Sequence, residues 1–504
     1  MRFSPLSELS LRPRVCGNGA RLGLRNNLYI DFLALCGSGR GNVPRTGGGR
    51  GGQGPTMDVI MLTTSRRIGV IGAGYVGLTT AVCLAHLGHA VVCADIDAGK
   101  VARLSRAMVD IAEPRLAELV AEELATGRLR FTADPIDAVT DGNGVEFLFL
   151  CLPTPAGPDG AADLSAIETV AKQVRDVLAV GSTVVVKSTV PAGSAQWLAG
   201  ILGDDIDVVS NPEFLREGST VADFFNPHRI VIGADDAHVA RRVAALYIHL
   251  DVAMVLTDTA SAELAKHAAN CFLAMKLSYV NTLAELCERV GADIADITTA
   301  LGHDPRIGPG FMSPGPGWGG PCLPKDTEAL HHLAATVGLT APLIGATIQT
   351  NRQQAGRVVT KVRSAVTGNP HGSLCGVRLG VLGLTFKAGT DDLRCSPSVE
   401  ITRLLQRDGA EVVAHDPVLR THADYPELAG IAVTDDPHRV ADDAAAVLLL
   451  TDWPQYRSLD WQGIAAAMQH PILIDTRNLL DRAMAAAAGL QWTGTGREAL
   501  GLTV

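Results

Sequence analysis

The chain has 504 residues, 47% hydrophobic and 19% charged, a globular composition too long for one hydrophobic core, so two or three domains are expected. No charge-free apolar run is long enough to cross a bilayer as a helix, which excludes a membrane span of that kind. A net charge of −10 argues against a nucleic-acid binder.

The charge is uneven. Residues 1–56 hold eight arginines, no lysine and only Glu8 and Asp31 as acids. Residues 1–65 are expected to be a disordered extension, or the result of a start set too early, with Met57 or Met61 the true start. A transit peptide fits the Arg-rich composition, but its glycines would break an amphipathic helix. The apolar stretch at 28–35 contains Asp31 and no cleavage site, against a secretory signal. Ten cysteines without a CxxC pair make neither a disulfide framework nor a zinc site, and no metal site is expected. A reducing cytoplasm is the expected compartment.

From Arg66 to about Asp251 short apolar runs, at 68–71, 90–94, 147–150 and 183–186, suit strands buried on both faces of a parallel sheet. Gly72-Ala-Gly74-Tyr-Val-Gly77 follows the first run and opens a helix. Gly72 permits the tight turn, Gly74 lets a pyrophosphate approach the backbone, and Gly77 packs helix on strand. The helix N-terminus then faces the phosphates. Asp95 ends the next strand, placed to accept the adenosine ribose hydroxyls and to favour NAD over NADP; Asp97 replaces it if the strand ends two residues later. In Ser210–Gly218, Glu213 and Glu217 stand four apart, able to hold a water together or to serve as helix-start acids.

Residues 259–290 read as one long helix, with apolar residues at Leu264, Ala268, Cys271, Phe272, Met275, Leu277 and Val280. Lys266 and Asn270, a turn apart, suit an oxyanion or a solvated polar face. A Gly/Pro-dense stretch, 308–324, is expected to be neither helix nor strand. Beside it Cys322 has Lys325 and Asp326 as neighbours that would favour a thiolate, although a loop cysteine alone is often structural. A second α/β run starts near Val377, with strands at 378–382, 411–414, 447–450 and 472–474 and a helix at 398–407. The fold class expected is α/β, two doubly wound Rossmann-like domains joined by a long central helix.

The stretches GVIGAGYVGLTTA, CLPTP, VVVKSTVPAG, SNPEFLREG, AKHAANCFLAMKLSYVN, GHDPRIGPGF, GPGWGGPCLPKD, LGLTFKAGTDDLRCSPSVE and DTRN, in this order from Arg66 to Arg477, resemble the UDP-glucose/GDP-mannose dehydrogenase family of nucleotide-sugar dehydrogenases. The resemblance implies an NAD-binding domain at 66–255, a central helical dimerisation region with the cysteine loop at 256–350, and a nucleotide-sugar-binding domain at 351–504. It implies a homodimer or higher homo-oligomer. The implied reaction is a four-electron oxidation of UDP-glucose to UDP-glucuronate with NAD, with GDP-mannose or a UDP-N-acetylhexosamine as the alternative substrate.

By motif, Cys322 resembles the nucleophile that captures the aldehyde, Lys266 and Asn270 the oxyanion pair, Asp326 the acid/base group, and Thr154 and Glu213 the residues that orient water. Tyr75, Val76, Lys100, Thr154, Thr189, Glu217, Lys325 and Arg394 fall on the cofactor side of the same motifs. Phe214, Leu215, Arg216, Gly319, Lys387 and Arg477 fall on the substrate side. Arg306 resembles a residue that reaches the neighbouring subunit's substrate. The sequence departs from the family pattern at Pro321, commonly serine, at His228, usually an acid, and at Arg115, usually glycine.

Overall fold

The computed structural model of the chain describes residues 65–419 and 425–501, so the expected extension lies, apart from Ser65, outside the described residues. The first sheet contains β1 (Arg67–Ile71), β2 (Ala90–Ala94), β3 (Leu129–Thr132), β4 (Phe147–Leu150), β5 (Thr183–Val186), β6 (Asp207–Ser210), β7 (Ile230–Gly233) and β8 (Met254–Thr257). Its order is β3-β2-β1-β4-β5-β6-β7-β8. β1 to β6 run parallel, β7 meets β6 antiparallel through Ser210 and Gly233, and β8 follows β7 in parallel. The second sheet contains β9 (Arg378–Leu382), β10 (Glu411–His415), β11 (Ala432–Val433), β12 (Ala446–Leu449), β13 (Ile472–Asp475) and β14 (Gln491–Gly494), ordered β11-β10-β9-β12-β13-β14 and parallel throughout.

Alternate residues of each strand enter opposite faces. Val70, Phe149 and Val185 join one apolar cluster and Ile71, Leu148, Leu150 and Val184 another, which is why these strands lack polar alternation. In the second sheet Val381 and Leu448 face one cluster, Leu382 and Val447 the other. Chain order reverses between β1 and β4 and again between β9 and β12, opening a crevice at each strand end.

The two sheets begin alike. Gly72 (φ +98°) follows β1 and Gly383 (φ +95°) follows β9; Asp95 follows β2 and Asp416 follows β10. Asp416 is buried, and its Oδ2 accepts from Leu384 N (2.8 Å), Thr385 N (3.1 Å) and Trp453 Nε1 (3.1 Å).

Between the sheets runs the central helix, Thr259–Val290, capped by Asp258, which accepts from Ser261 N at 2.7 Å, and stopped by Gly291 at φ +73°. Its inward face is largely polar, with Glu263, Lys266, His267, Asn270, Ser278 and Asn281 buried. Of the apolar series Leu264, Ala268 and Phe272 are exposed and Cys271 and Val280 buried, and Tyr279, Leu286 and Val290 extend the exposed side. A second helix, Leu323–Thr336, starts inside the stretch expected to be irregular. Pro324 is tolerated there because a first-turn N–H has no intrahelical partner. A third, Pro342–Thr367, runs unbroken through residue 350 and sends Ala355, Val358, Val359 and Val362 into the second sheet's core.

Arg115 sits at φ +66° just before the helix Leu116–Ala125. A side chain in that left-handed conformation costs on the order of 1 kcal/mol, which explains why glycine suits the position.

Candidate active site

Ser210 to Gly218 is not helical, so four-residue spacing does not place its two acids on one face. Glu213 Oε1 accepts from Lys266 Nζ at 2.9 Å, both side chains being almost fully buried. Its Oε2 accepts from Leu215 N at 2.6 Å. Glu217 turns instead to the second α/β domain: its carbonyl accepts from Lys387 Nζ (2.6 Å) and its carboxylate from Arg394 (3.3 Å) and Thr390 Oγ1 (3.5 Å). The two acids therefore serve different protein partners. Nor do they start the next helix, Thr220–Phe225, since Glu113 accepts from Gly218 N and Thr220 N there.

Across from Glu213, Asn270 Nδ2 donates to Asp326 Oδ2 at 2.6 Å and Lys325 Nζ to Asp326 Oδ1 at 2.5 Å. Cys322 is the residue before the helix that carries both Lys325 and Asp326. Burial pushes its thiol up to about 12, with Glu213 and Asp326 adding to the rise and Lys266 and Lys325 opposing it. The expected resting thiolate is therefore not what these surroundings favour, because each ammonium is matched by a carboxylate in contact with it. Burial acts to lower Lys266, but the charges of Glu213 and then Asp326 help to raise the group, which stays protonated.

Thr154, buried, donates to Thr189 O at 2.8 Å. The Phe214 ring lies 3.4 Å beneath the Arg229 guanidinium and 5.2 Å from Lys266 Nζ, while His228 is exposed, so its departure from the usual acid leaves this stack intact. Arg216 is held by Asp223 (2.6 Å) and Arg306, highly exposed, by Asp304 (2.6 Å), neither of them in the cluster around Cys322. Arg477 is spent on the Leu450 and Phe386 carbonyls (2.9 and 3.3 Å). A Cβ on Gly315 would come within 2.9 Å of it, and one on Gly319 within 2.0 Å of Cys395 O, so these glycines let the cysteine loop press against the second domain.

Four polar residues that the sequence reading passed over hold this loop. Ser278 accepts from Trp318 Nε1 (2.9 Å) and Asn281 from Gly315 N (2.8 Å). Asn351 bonds both Trp318 N and Trp318 O (2.8 Å each), and Gln354 donates to Gly315 O (2.8 Å). The available signal was helical spacing: Lys266, Asn270, Ser278 and Asn281 lie along one face of the central helix.

At the first sheet's crevice, a Cβ on Gly77 would lie 1.7 Å from Gly72 O, whereas one on Gly74 would meet nothing within 4 Å. Gly77 is thus demanded by packing, and Gly74 leaves the backbone open to a phosphate. Tyr75 begins the helix Tyr75–His86 and donates its hydroxyl to Asp391 Oδ1 (2.8 Å) of the second domain; Val76 O accepts from Thr80 Oγ1 (2.7 Å). Asp95 accepts from Ala73 N (2.9 Å) and Lys100 Nζ (3.0 Å) at the crevice edge, beside fully exposed Ile96. Asp97 caps the next helix, accepting from Lys100 N, and does not replace Asp95. An open glycine backbone, a carboxylate at the strand end and an exposed apolar residue fit the phosphates, ribose and adenine of NAD.

Three successive domains of the UDP-glucose/GDP-mannose dehydrogenase family match most of the chain: NAD binding domain (66–251), central domain (260–353) and UDP binding domain (380–482). A UDP-glucose 6-dehydrogenase of Rhizobium meliloti (strain 1021) is 40% identical over 441 residues, 86% of this chain and 99% of that one. Among solved structures, a UDP-glucose dehydrogenase from Pyrobaculum islandicum is similar at a TM-score of 0.78 and 35% identity, covering 89% of this chain and all of its own. A UDP-D-ManNAc dehydrogenase from Pyrococcus horikoshii is similar at a TM-score of 0.76 and 27% identity, over 86% and 99% of the two chains.

Proposed function

This chain belongs to the UDP-glucose/GDP-mannose dehydrogenase family, NAD-dependent oxidoreductases, and we propose that it oxidises C6 of UDP-glucose through the aldehyde to UDP-glucuronate. The observation that carries this reading is the meeting of Glu213, Lys266, Asn270, Cys322 and Asp326 from three separate segments. NAD+ held at the Gly72–Gly77 turn would accept one hydride in each oxidation, a second NAD+ replacing the NADH formed in the first. In the first, C6 gives up a hydride and its hydroxyl a proton, which leaves by way of Asp326 to solvent, while Lys266 with Asn270 steadies the oxygen as it becomes anionic.

Cys322 Sγ then adds to the aldehyde carbon, its proton passing by way of Asp326 to the carbonyl oxygen. The resulting thiohemiacetal has a hydride to give. Loss of that hydride and of the hydroxyl proton leaves a thioester. Water aligned by Thr154 and Glu213 cleaves it, forming the carboxylate and restoring the thiol. Glu217, Lys387 and Arg394, where the two domains meet, and the Phe214 and Arg477 surfaces bound the space for cofactor and nucleotide-sugar.

NADH release across a panel of nucleotide-sugars tests the substrate. UDP-glucose should turn over fastest, and GDP-mannose or UDP-N-acetylmannosamine at an equal or higher rate would overturn the assignment. Cys322→Ala should abolish acid formation; undiminished acid would exclude the covalent step. Two copies pair through the outward stripe of the central helix, which leaves Leu264, Phe272, Tyr279 and Leu286 exposed in the single chain. Light scattering should show a dimer that Phe272→Glu dissociates, and a monomeric parent chain would refute it. The free thiols of the described cysteines accord with a reducing cytoplasm.

A further inference from the structure

Lys187, the first residue after β5, is buried, and among the described residues no carboxylate lies within ion-pair distance of it. Its Nζ donates to Asn211 Oδ1 at 3.2 Å and lies 5.6 Å from the centre of the Tyr247 ring. The same Asn211 oxygen accepts from Tyr247 OH (2.7 Å), and Asn211 Nδ2 donates to Val231 O (2.7 Å), so the asparagine is fixed on both sides. Glu213 stands two residues further on, and its charge reaches Lys187.

A buried ammonium without a contacting carboxylate is costly, and an apolar residue of similar volume would serve packing as well or better. Burial lowers Lys187 to about 8, against the pull of Cys151 and Glu213. The charge therefore needs a reason other than packing.

Among the described residues Glu213 has one contacting cation, Lys266, and that ammonium is also the one proposed to meet the substrate oxyanion. As the oxyanion draws on Lys266, Glu213 loses part of its counter-charge at the stage when it must align water. We propose that Lys187 is a positioning residue for Glu213, holding the Asn211–Pro212–Glu213 segment through Asn211 and supplying that carboxylate with a second positive charge while Lys266 serves the substrate. The inference rests on the role given to Glu213 above. The other groups facing Glu213 are Arg229 before β7 and the thiols of Cys151 and Cys322; those facing Lys187 are Cys151, Lys266 and the Tyr247 ring.

The test is the pH profile of kcat and KM for Lys187→Met, with the nucleotide-sugar that turns over fastest. At neutral pH kcat should fall about tenfold with KM within about twofold, the acid limb should move up by about one pH unit, and kcat should recover toward the parent value near pH 9. A melting temperature at or above the parent's separates this from misfolding. An unmoved acid limb, or a kcat loss that is the same at every pH, would overturn the inference. Glu213→Gln run alongside divides the two readings. If that variant keeps the parent's acid limb, the role of Glu213 falls and this inference with it. If its limb changes while that of Lys187→Met does not, only the present inference falls.

Discussion

At rest the surroundings of Cys322 favour the neutral thiol. Burial and the charge of Glu213 hold it as a thiol, and Lys266 is already occupied by that same glutamate. At pH 8 iodoacetamide should modify exposed Cys375 roughly tenfold faster than Cys322, as peptide mass spectrometry would measure. Glu213→Gln removes an adverse charge and releases Lys266, so Cys322 labelling should then speed up several-fold; no change would mean that Glu213 does not govern the thiol. The identities of Cys322, Lys266, Asn270 and Asp326 were legible in their motifs. The protonation of the thiol was not, because it is set by burial and by a residue more than a hundred positions away, and Glu213 and Glu217 part company because their segment is not helical.

At the scale of elements, the cysteine loop owes its shape to two helices. Asn351 makes two bonds to Trp318, and removing it leaves a buried N–H and C=O unpaired, at about 1–3 kcal/mol each. Asn351→Ala should therefore lower kcat about tenfold with little change in the KM for NAD+, since the dinucleotide turn lies elsewhere. An unaltered kcat would show the loop to be held without it. The limits of the central helix could be read from its uninterrupted period and closing glycine. Which side faces inward could not. Apolar periodicity marks a surface to be covered without saying by what, and here the buried side is the one bearing Lys266 and Asn270.

On the scale of the whole molecule, the domains of the two sheets meet through Tyr75 and Asp391 and through Glu217 with Lys387, Thr390 and Arg394. Burial, then the nearby Asp392 charge, raises Glu217 from 4.5 to about 7. The folded chain thus holds this proton more tightly than the unfolded one. Its contribution to stability is complete below 4.5 and is lost as pH rises toward 7. The melting temperature of Glu217→Gln relative to the parent should climb between pH 5 and pH 8, and a flat difference by scanning fluorimetry would contradict the shift. The alternation of short buried strands made both sheets legible, but not their meeting, which joins side chains from opposite halves of the chain. The two sheets also start from one plan, an acid following the second strand, and differ in what becomes of it. Asp416 is consumed by its own fold while Asp95 stays at the crevice edge. One acid at the same place in the plan is thus closed inside its own domain, while the other ends beside the glycine turn with a lysine for partner.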